Sequence, residues 1–166
     1  MKKLNMTNVL FGIYCLLLIW IILFKLSFTF TEIRLLFGNR SVNMIPFYYE
    51  NKVAYQFREV LENVIIFIPF GLYLKMLMVG TKKGIVYGFA FSVGLEVCQF
   101  LFAMGASDIT DILTNTFGTI LGVTSYEVLK RCFPNKDRIN NILNILGLVA
   151  TILFILLAIV LFLANL

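Results

Sequence analysis

Five apolar runs, separated by shorter polar stretches, follow one another along the chain. They span roughly residues 7–27, 61–79, 84–103, 108–129 and 140–165. Because a helix rises about 1.5 Å per residue, each run is about long enough to cross a hydrocarbon core of about 30 Å. The pattern predicts an all-α fold, a polytopic transmembrane bundle of about five helices.

The longest connection joins the first two crossings and spans residues 28–60. It is too apolar for a solvated linker, so we expect this external loop to fold back onto the helices or to lie at the membrane interface. Within it, residues 50–62 have a helical period, with Val53, Phe57 and Val60 on one side. This period predicts a short amphipathic helix that leads into the second crossing.

Composition agrees with a membrane protein. Of the 166 residues, 60% are hydrophobic and 14% are charged, and the mean hydropathy is +0.92. A soluble domain is usually about half apolar and a quarter charged. The excess of 14 basic over 9 acidic side chains is more typical of cytoplasmic loops than of a nucleic-acid surface. We therefore expect membrane lipids as partners and no nucleic acid.

Basic residues decide the orientation of such a bundle, because cytoplasmic loops carry an excess of lysine and arginine. If the amino terminus is inside, nine basic residues are inside as well: Lys2, Lys3, Lys75, Lys82, Lys83, Lys130, Arg131, Lys136 and Arg138. Five are outside: Lys25, Arg34, Arg40, Lys52 and Arg58. The sequence therefore predicts a cytoplasmic amino terminus, residues 1–6, and an external carboxyl terminus after a last membrane helix in residues 139–165.

Several kinds of chemistry are disfavoured by the residue types present. Histidine is absent, which removes the most common general base near neutral pH and the most common transition-metal ligand. Cys15, Cys98 and Cys132 are far apart and have no CxxC spacing, so we interpret them as unpaired packing residues. Candidate chemistry therefore falls on carboxylates and carboxamides.

Polar stripes mark the third and fourth crossings. Asp108, Asp111 and Asn115 are three and four residues apart, which places them on one helical face. The third crossing has a stripe of its own: Gly84, Gly88, Ser92, Glu96 and Gln99. Because a turn of about four residues joins these helices, they must be antiparallel neighbours whose polar faces can meet in the outer half of the membrane. Asn63, at the start of the second crossing, belongs to the same layer.

Glu96 is the member of this layer that local structure explains least, since it lies about two turns from the end of its helix. A buried carboxylate needs a cation, several hydrogen-bond donors or a proton. The candidate partners are Arg40 or Arg34 from the long loop, a bound cation, or the side chains of Gln99 and Asn115.

Purely structural interpretations stay open for the other residues. Asp108 and Asp111 fit the N-cap and N3 positions of a helix, where acidic groups are favoured. The Asn115 and Gln99 amides fit hydrogen bonds between helices, and the glycines at 118 and 122 fit close helix packing.

Four motifs occur in a fixed order along most of the chain. They are Arg40-x-x-Asn43-x-x-Pro46-Phe47, Asn63-x-x-x-Phe67-x-Pro69-Phe70-Gly71, Ser92-x-x-x-Glu96-x-x-Gln99 and Asp108-Ile-x-Asp111-x-x-x-Asn115-x-x-Gly118. This ordered set resembles the VanZ-like membrane protein family over about residues 9–130.

The resemblance implies a small polytopic protein of the bacterial cytoplasmic membrane, with a VanZ-like domain at residues 7–130. The founding member of the family is linked to low-level resistance to the glycopeptide teicoplanin. Carried onto this chain, the polar positions of the family are candidate ligand-binding residues: Arg40, Asn43, Asn63, Glu96, Gln99, Asp108, Asp111 and Asn115.

Our leading hypothesis is an outward-facing acidic and polar pocket that binds an envelope component: a lipid head group, a lipid-linked cell-wall precursor or a lipoglycopeptide antibiotic. Oxygen ligands suit Mg²⁺ or Ca²⁺, so Glu96, Asp108 and Asp111 are candidate ligands of a divalent cation. One alternative is a membrane enzyme acting on lipid or lipid-linked phosphate, with Glu96 or Asp111 as the catalytic base. Another is a small transporter or channel formed by a homo-oligomer through the glycine faces.

Overall fold

The computed structural model describes residues 6–24, 37–48 and 53–164, apart from the side chains of residues 39–40 and 53–56. In this part of the chain, five helices and two short strands follow one another: α1 (Met6–Phe24), β1 (Asn39–Asn43), α2 (Val53–Met76), α3 (Thr81–Leu101), β2 (Met104–Asp108), α4 (Ile109–Cys132) and α5 (Lys136–Ala164). The predicted all-α bundle is confirmed, with a small sheet added at one end.

The second helix is longer than the sequence pattern predicts. It begins at Val53 rather than near residue 61, so the amphipathic lead-in and the second crossing form one continuous helix. No glycine or proline lies between Val53 and Ile68, and nothing in this stretch therefore favours a break. Pro69 is inside the helix, which continues to Met76.

Three of the described helices, α1, α3 and α5, are long and apolar enough to cross a membrane by length and composition. The other two carry more polar side chains, for different reasons. The first turns of α2 expose charged residues such as Arg58 and Glu62. In α4, by contrast, polar residues such as Thr114 and Asn115 are buried in the bundle. Polar side chains at membrane depth usually face protein in this way.

Helices α2 and α4 pack backbone against backbone. A Cβ atom added to Gly118 would collide with the carbonyl oxygen of Val64, and one added to Gly122 would collide with that of Ile68. The Cβ added to Gly122 would also lie 3.0 Å from the Cα of Gly71. Small residues permit such an approach between helices in membranes. The close packing predicted for Gly118 and Gly122 is confirmed.

Small residues also bring α3 against a neighbouring face of α4. A Cβ atom added to Gly88 would lie 2.7 Å from the Cβ of Thr119, and one added to Gly84 would lie 3.4 Å from a methyl group of Val123. The remaining members of the α3 stripe are buried as well: Ser92, Glu96 and Gln99. The polar faces of α3 and α4 therefore meet, as their spacing predicts.

An apolar core joins α1 to α2 and α3. The Phe70 ring of α2 has its centroid 5.5 Å from that of Phe11 in α1 and 4.9 Å from that of Phe91 in α3. Leu18 and Phe67 are almost completely buried in the same cluster. Most apolar side chains of α5 are exposed in the described structure, as lipid-facing side chains of a membrane protein are.

The two strands form a parallel pair at one end of the bundle. They are in register from Asn39 opposite Met104 to Asn43 opposite Asp108. Gly105 within β2 has a φ of 119°, which a residue with a side chain rarely adopts. We call this end of the bundle, marked by β1 and β2, the sheet end. The pairing brings a segment of the long loop against the start of α4.

Candidate functional site

Asp108 is the last residue of β2 and the N-cap of α4. Its backbone is extended, with φ −123° and ψ 126°, and its Oδ1 accepts the backbone N–H of Thr110 at 2.7 Å. Carboxylates are favoured here because they satisfy a free N–H group and oppose the positive end of the helix dipole. The N-cap interpretation of Asp108 is confirmed. Its other oxygen, Oδ2, accepts the side-chain N–H of Asn43 in β1 at 3.0 Å.

Glu96 reaches the same junction from α3. Only 4% of Glu96 is exposed, and its Oε2 accepts the backbone N–H of Asp108 at 2.9 Å. The Ser107 hydroxyl donates to the backbone carbonyl of Glu96 at 2.8 Å. These two bonds attach α3 to the junction between β2 and α4. Of the cationic partners expected for Glu96, Arg34 and the side chain of Arg40 lie outside the described residues.

The turn after β1 is bonded to the first turn of α4. The Phe47 backbone N–H donates to the Thr110 hydroxyl oxygen at 3.0 Å. Asn43 closes the turn from within, because its Oδ1 accepts the Ile45 N–H at 3.1 Å and its Nδ2 donates to the Tyr48 carbonyl at 3.3 Å. These two hydrogen bonds orient the Asn43 amide, which also donates to Asp108 at the start of α4.

A groove of about 250 Å³ lies beside this junction. Its polar lining residues are Asn43, Glu96, Ser107 and Asp108. Its remaining walls are apolar and include Val42, Val97 and Phe100. The sequence predicts an acidic and polar pocket, whereas the surface that the groove exposes is almost entirely apolar. The difference arises because polar stripes do not indicate which apolar side chains surround them.

Asp111 is bonded to α2. Its Oδ1 accepts the side-chain N–H of Asn63 at 2.7 Å, and both side chains are half-buried. Asp111 is about one helical turn beyond Asp108 and is not among the described residues that line the groove. The two candidate catalytic residues therefore have different neighbours. Glu96 lies against the start of α4, whereas Asp111 lies against α2.

Two further amides join helices in the bundle. Nδ2 of Asn115 donates to the Ser92 hydroxyl oxygen at 2.9 Å, and Nε2 of Gln99 donates to the backbone carbonyl of Ile22 in α1 at 3.1 Å. Among the described residues, the Asn115 and Gln99 side-chain oxygens accept no hydrogen bond. The predicted interhelical hydrogen bonds of Asn115 and Gln99 are confirmed.

The candidate metal ligands were Glu96, Asp108 and Asp111. In the described ranges, 6–24, 37–48 and 53–164, no three or more histidine, cysteine, aspartate or glutamate side chains form a group that could hold a metal ion. Glu96 and Asp108 share the groove, while Asp111 is bonded to Asn63. A divalent cation at these carboxylates stays a prediction.

Ser107 and Thr110 also build the junction, and the sequence argument did not single them out. Both are buried. Thr110 accepts a hydrogen bond from Phe47, which lies far away in the chain, and Ser107 donates one to Glu96 in α3. A local signal was present, since a run of small hydrogen-bonding residues directly before an apolar helix is typical of a capped amino terminus.

Long apolar helices with carboxylates and amides buried between them are the features of a small polytopic membrane protein. The sequence model of the VanZ/LLP1 family matches residues 11–130. Over 148 residues the chain is 34% identical to Protein VanZ of Enterococcus faecium, and the match covers 88% of each chain. The chain belongs to the VanZ/LLP1 family, as its motifs predict, and is a bacterial membrane protein. No solved structure matches it.

Proposed function

We propose that the protein binds an envelope component at the groove of the sheet end and thereby contributes to glycopeptide resistance. One observation carries the proposal. Asn43, Glu96 and Asp108 come from β1, α3 and the β2–α4 junction, and all three line a single groove. Buried polar groups that converge from separate segments on an apolar groove are typical of ligand sites.

The charge distribution supports an external position for the groove. The end of the bundle opposite the sheet holds most of the described basic residues: Lys75, Lys82, Lys83, Lys130, Arg131, Lys136 and Arg138. Lys75 is paired with Glu127 at 2.5 Å, and five of the others are exposed. Under the positive-inside rule this basic end is cytoplasmic, so the sheet end faces the outside. Five crossings would then place the amino terminus inside and the carboxyl terminus outside.

The chemistry of the groove limits the ligand. Its exposed surface is almost entirely apolar, which suits the hydrocarbon part of a ligand. A polar part that reaches the buried carboxylates would need N–H or O–H donors, because a carboxylate only accepts hydrogen bonds. A lipid head group, a lipid-linked cell-wall precursor and a lipoglycopeptide antibiotic all combine such donors with hydrocarbon. The relative named Protein VanZ adds weight to a glycopeptide-related role.

Teicoplanin susceptibility of a Gram-positive host that expresses the chain tests the proposal. We expect the wild type to raise the minimum inhibitory concentration severalfold. Glu96→Gln and Asp108→Asn should lower this protection at equal abundance in the membrane, because each removes one charge from the groove. Glu62→Gln is the matched control, since this carboxylate is 55% exposed on α2.

Two outcomes contradict the proposal in different ways. A wild type that leaves teicoplanin susceptibility unchanged would refute the role in resistance. Full protection by both groove variants would show that the groove does not bind the component concerned.

A further inference from the structure

The turn that follows β1 has an apolar surface that the bundle does not cover. Residues 44–48, Met-Ile-Pro-Phe-Tyr, are all exposed, and we call them the apolar turn. Ile45 and Phe47 are each 58% exposed. The segment from Ser41 to Tyr48 carries no charged residue. Large apolar side chains that are exposed side by side mark a surface that contacts a partner or a membrane.

The backbone of the apolar turn needs no water for its N–H groups after the first residue. The Ile45 N–H donates to Asn43 Oδ1, and the Phe47 N–H donates to a hydroxyl oxygen in the first turn of α4. The Tyr48 N–H donates to the Ile45 carbonyl at 3.3 Å, and Pro46 has no N–H. An unsatisfied N–H is costly where water is scarce. This turn can therefore lie at the boundary between head groups and hydrocarbon without that cost.

Phe47 has a backbone conformation that rarely suits a bulky residue. Its φ is 56°, in the left-handed region, which glycine and asparagine adopt more readily. The exposed Phe47 ring gains little from the interior of the bundle, so packing there does not offset the strain. Strained residues are often found where a protein makes a functional contact. A contact between the ring and the surroundings of the bundle accounts for phenylalanine at this position.

The apolar turn is continuous with the lipid-facing side of α3. Met44 and Val97 line the same groove. Val97 is 49% exposed near the end of α3, a helix long and apolar enough to cross a membrane. Val86 is eleven residues earlier, about three helical turns, so it shares this face, and it is 60% exposed. The apolar turn therefore begins beside the last turns of a membrane-spanning surface.

We infer that the apolar turn is an interfacial anchor, which inserts the Ile45 and Phe47 side chains into the lipid leaflet at the sheet end. Lipid is favoured over a protein partner because the turn is uncharged and continues the lipid-facing side of α3. Tyr48, with an apolar ring and a polar tip, suits the same boundary. The anchor keeps β1, and with it Asn43, at the membrane surface. It goes beyond the proposed function, since it does not depend on what the groove binds.

Tryptophan fluorescence of the full chain in phosphatidylcholine nanodiscs tests the inference. Trp20→Phe removes the single native tryptophan, and Phe47→Trp or Ile45→Trp then places one probe on the turn. Glu59→Trp is the matched control, because Glu59 is exposed on α2 about one helical turn before Asn63. We expect lipid brominated near the head group to quench the turn probes severalfold more than the control. Iodide, which stays in water, should quench the control severalfold more than the turn probes.

Phe47→Asn tests what the ring contributes. Asparagine adopts a positive φ readily, so the turn should persist, and thermal unfolding in detergent should be unchanged or slightly higher. With Tyr48→Trp as the probe, we expect Phe47→Asn to lower quenching by brominated lipid about twofold, because insertion depends on the apolar area that enters the leaflet. Quenching by iodide should rise in the same variant.

Three results would overturn the inference. Iodide quenching of Phe47→Trp as strong as that of Glu59→Trp would place the turn in water. Protection of the turn probes from both quenchers would show that protein, such as a second copy of the chain, covers the turn. Unchanged lipid quenching of the Tyr48→Trp probe after Phe47→Asn would show that the ring does not anchor the turn. None of these results bears on the proposed function, which is measured by teicoplanin protection.

Discussion

The Glu96 side chain holds the Asp108 main chain in place: Oε2 accepts the Asp108 N–H at 2.9 Å where α3, β2 and α4 meet. The same Asp108 caps α4 and accepts from Asn43 of β1. Two buried carboxylates, one on Glu96 and one on Asp108, therefore connect the long loop and two helices. The sheet end should be sensitive to changes at Glu96.

Glu96→Ala should destabilise the protein by about 1–3 kcal/mol, because the buried N–H of Asp108 loses its acceptor. Glu96→Gln keeps an oxygen that can accept this bond and should cost less. Thermal unfolding in detergent measures both, and a limited protease detects opening of residues 102–108. Equal stability of the alanine and glutamine variants would contradict this role.

Gly122→Ala should separate α2 from α4. The added methyl group meets the carbonyl oxygen of Ile68, which is backbone and cannot turn aside. We expect a loss of about 1–3 kcal/mol in the free energy of unfolding, as for other overpacked positions.

Gly94→Ala is the control for that substitution. Gly94 is also inside a helix, α3, and an added Cβ would have no atom within 4 Å. Alanine there should stabilise the helix by about 0.5–1 kcal/mol, because it restricts the unfolded chain. A loss of stability in both variants would point to a general intolerance of alanine and not to the helix contact.

The Asn63–Asp111 hydrogen bond predicts energetic coupling between α2 and α4. A double-mutant cycle with Asn63→Ala and Asp111→Ala should give an interaction energy of about 0.5–3 kcal/mol. The exposed pair of Arg58 and Glu62 provides the comparison, and its cycle should give about 0.2–1 kcal/mol. Additive effects at Asn63 and Asp111 would show that their contact contributes no stability.

Cysteine labelling tests the orientation. Cys132 is exposed at the basic end, so a membrane-impermeant maleimide should label it only in permeabilised cells. Glu59→Cys places a thiol in an exposed position at the sheet end and should be labelled in intact cells. The reverse labelling pattern would show that the topology is inverted and that the groove lies on the cytoplasmic side.

Helices and caps were predictable because their signals are local. The fourth crossing was placed at residue 108, and α4 begins at Ile109 with Asp108 as its N-cap. The polar stripes also identified residues that meet, since a fixed helical period and a short turn leave antiparallel packing as the outcome. Close packing at the glycines 118 and 122 was predictable as well, but their partner helix, α2, was not.

The sheet and the groove were not predictable in this way. Residues 39–43, Asn-Arg-Ser-Val-Asn, have little strand propensity and become a strand through pairing with residues 104–108. The wall residues Val97 and Phe100 have the same character as any lipid-facing side chain of α3. Only their position beside the β2–α4 junction distinguishes them, and this position depends on tertiary structure.

The parallel pairing of β1 with β2 has a consequence for biogenesis. Residues 39–43 leave the ribosome well before their partners at 104–108, and two complete helices are synthesised in between. The first strand must therefore wait on its side of the bilayer until α3 has been inserted and the next turn has followed. The groove is thus among the last parts of the molecule to mature, and truncated or stalled chains that end before α4 cannot contain it.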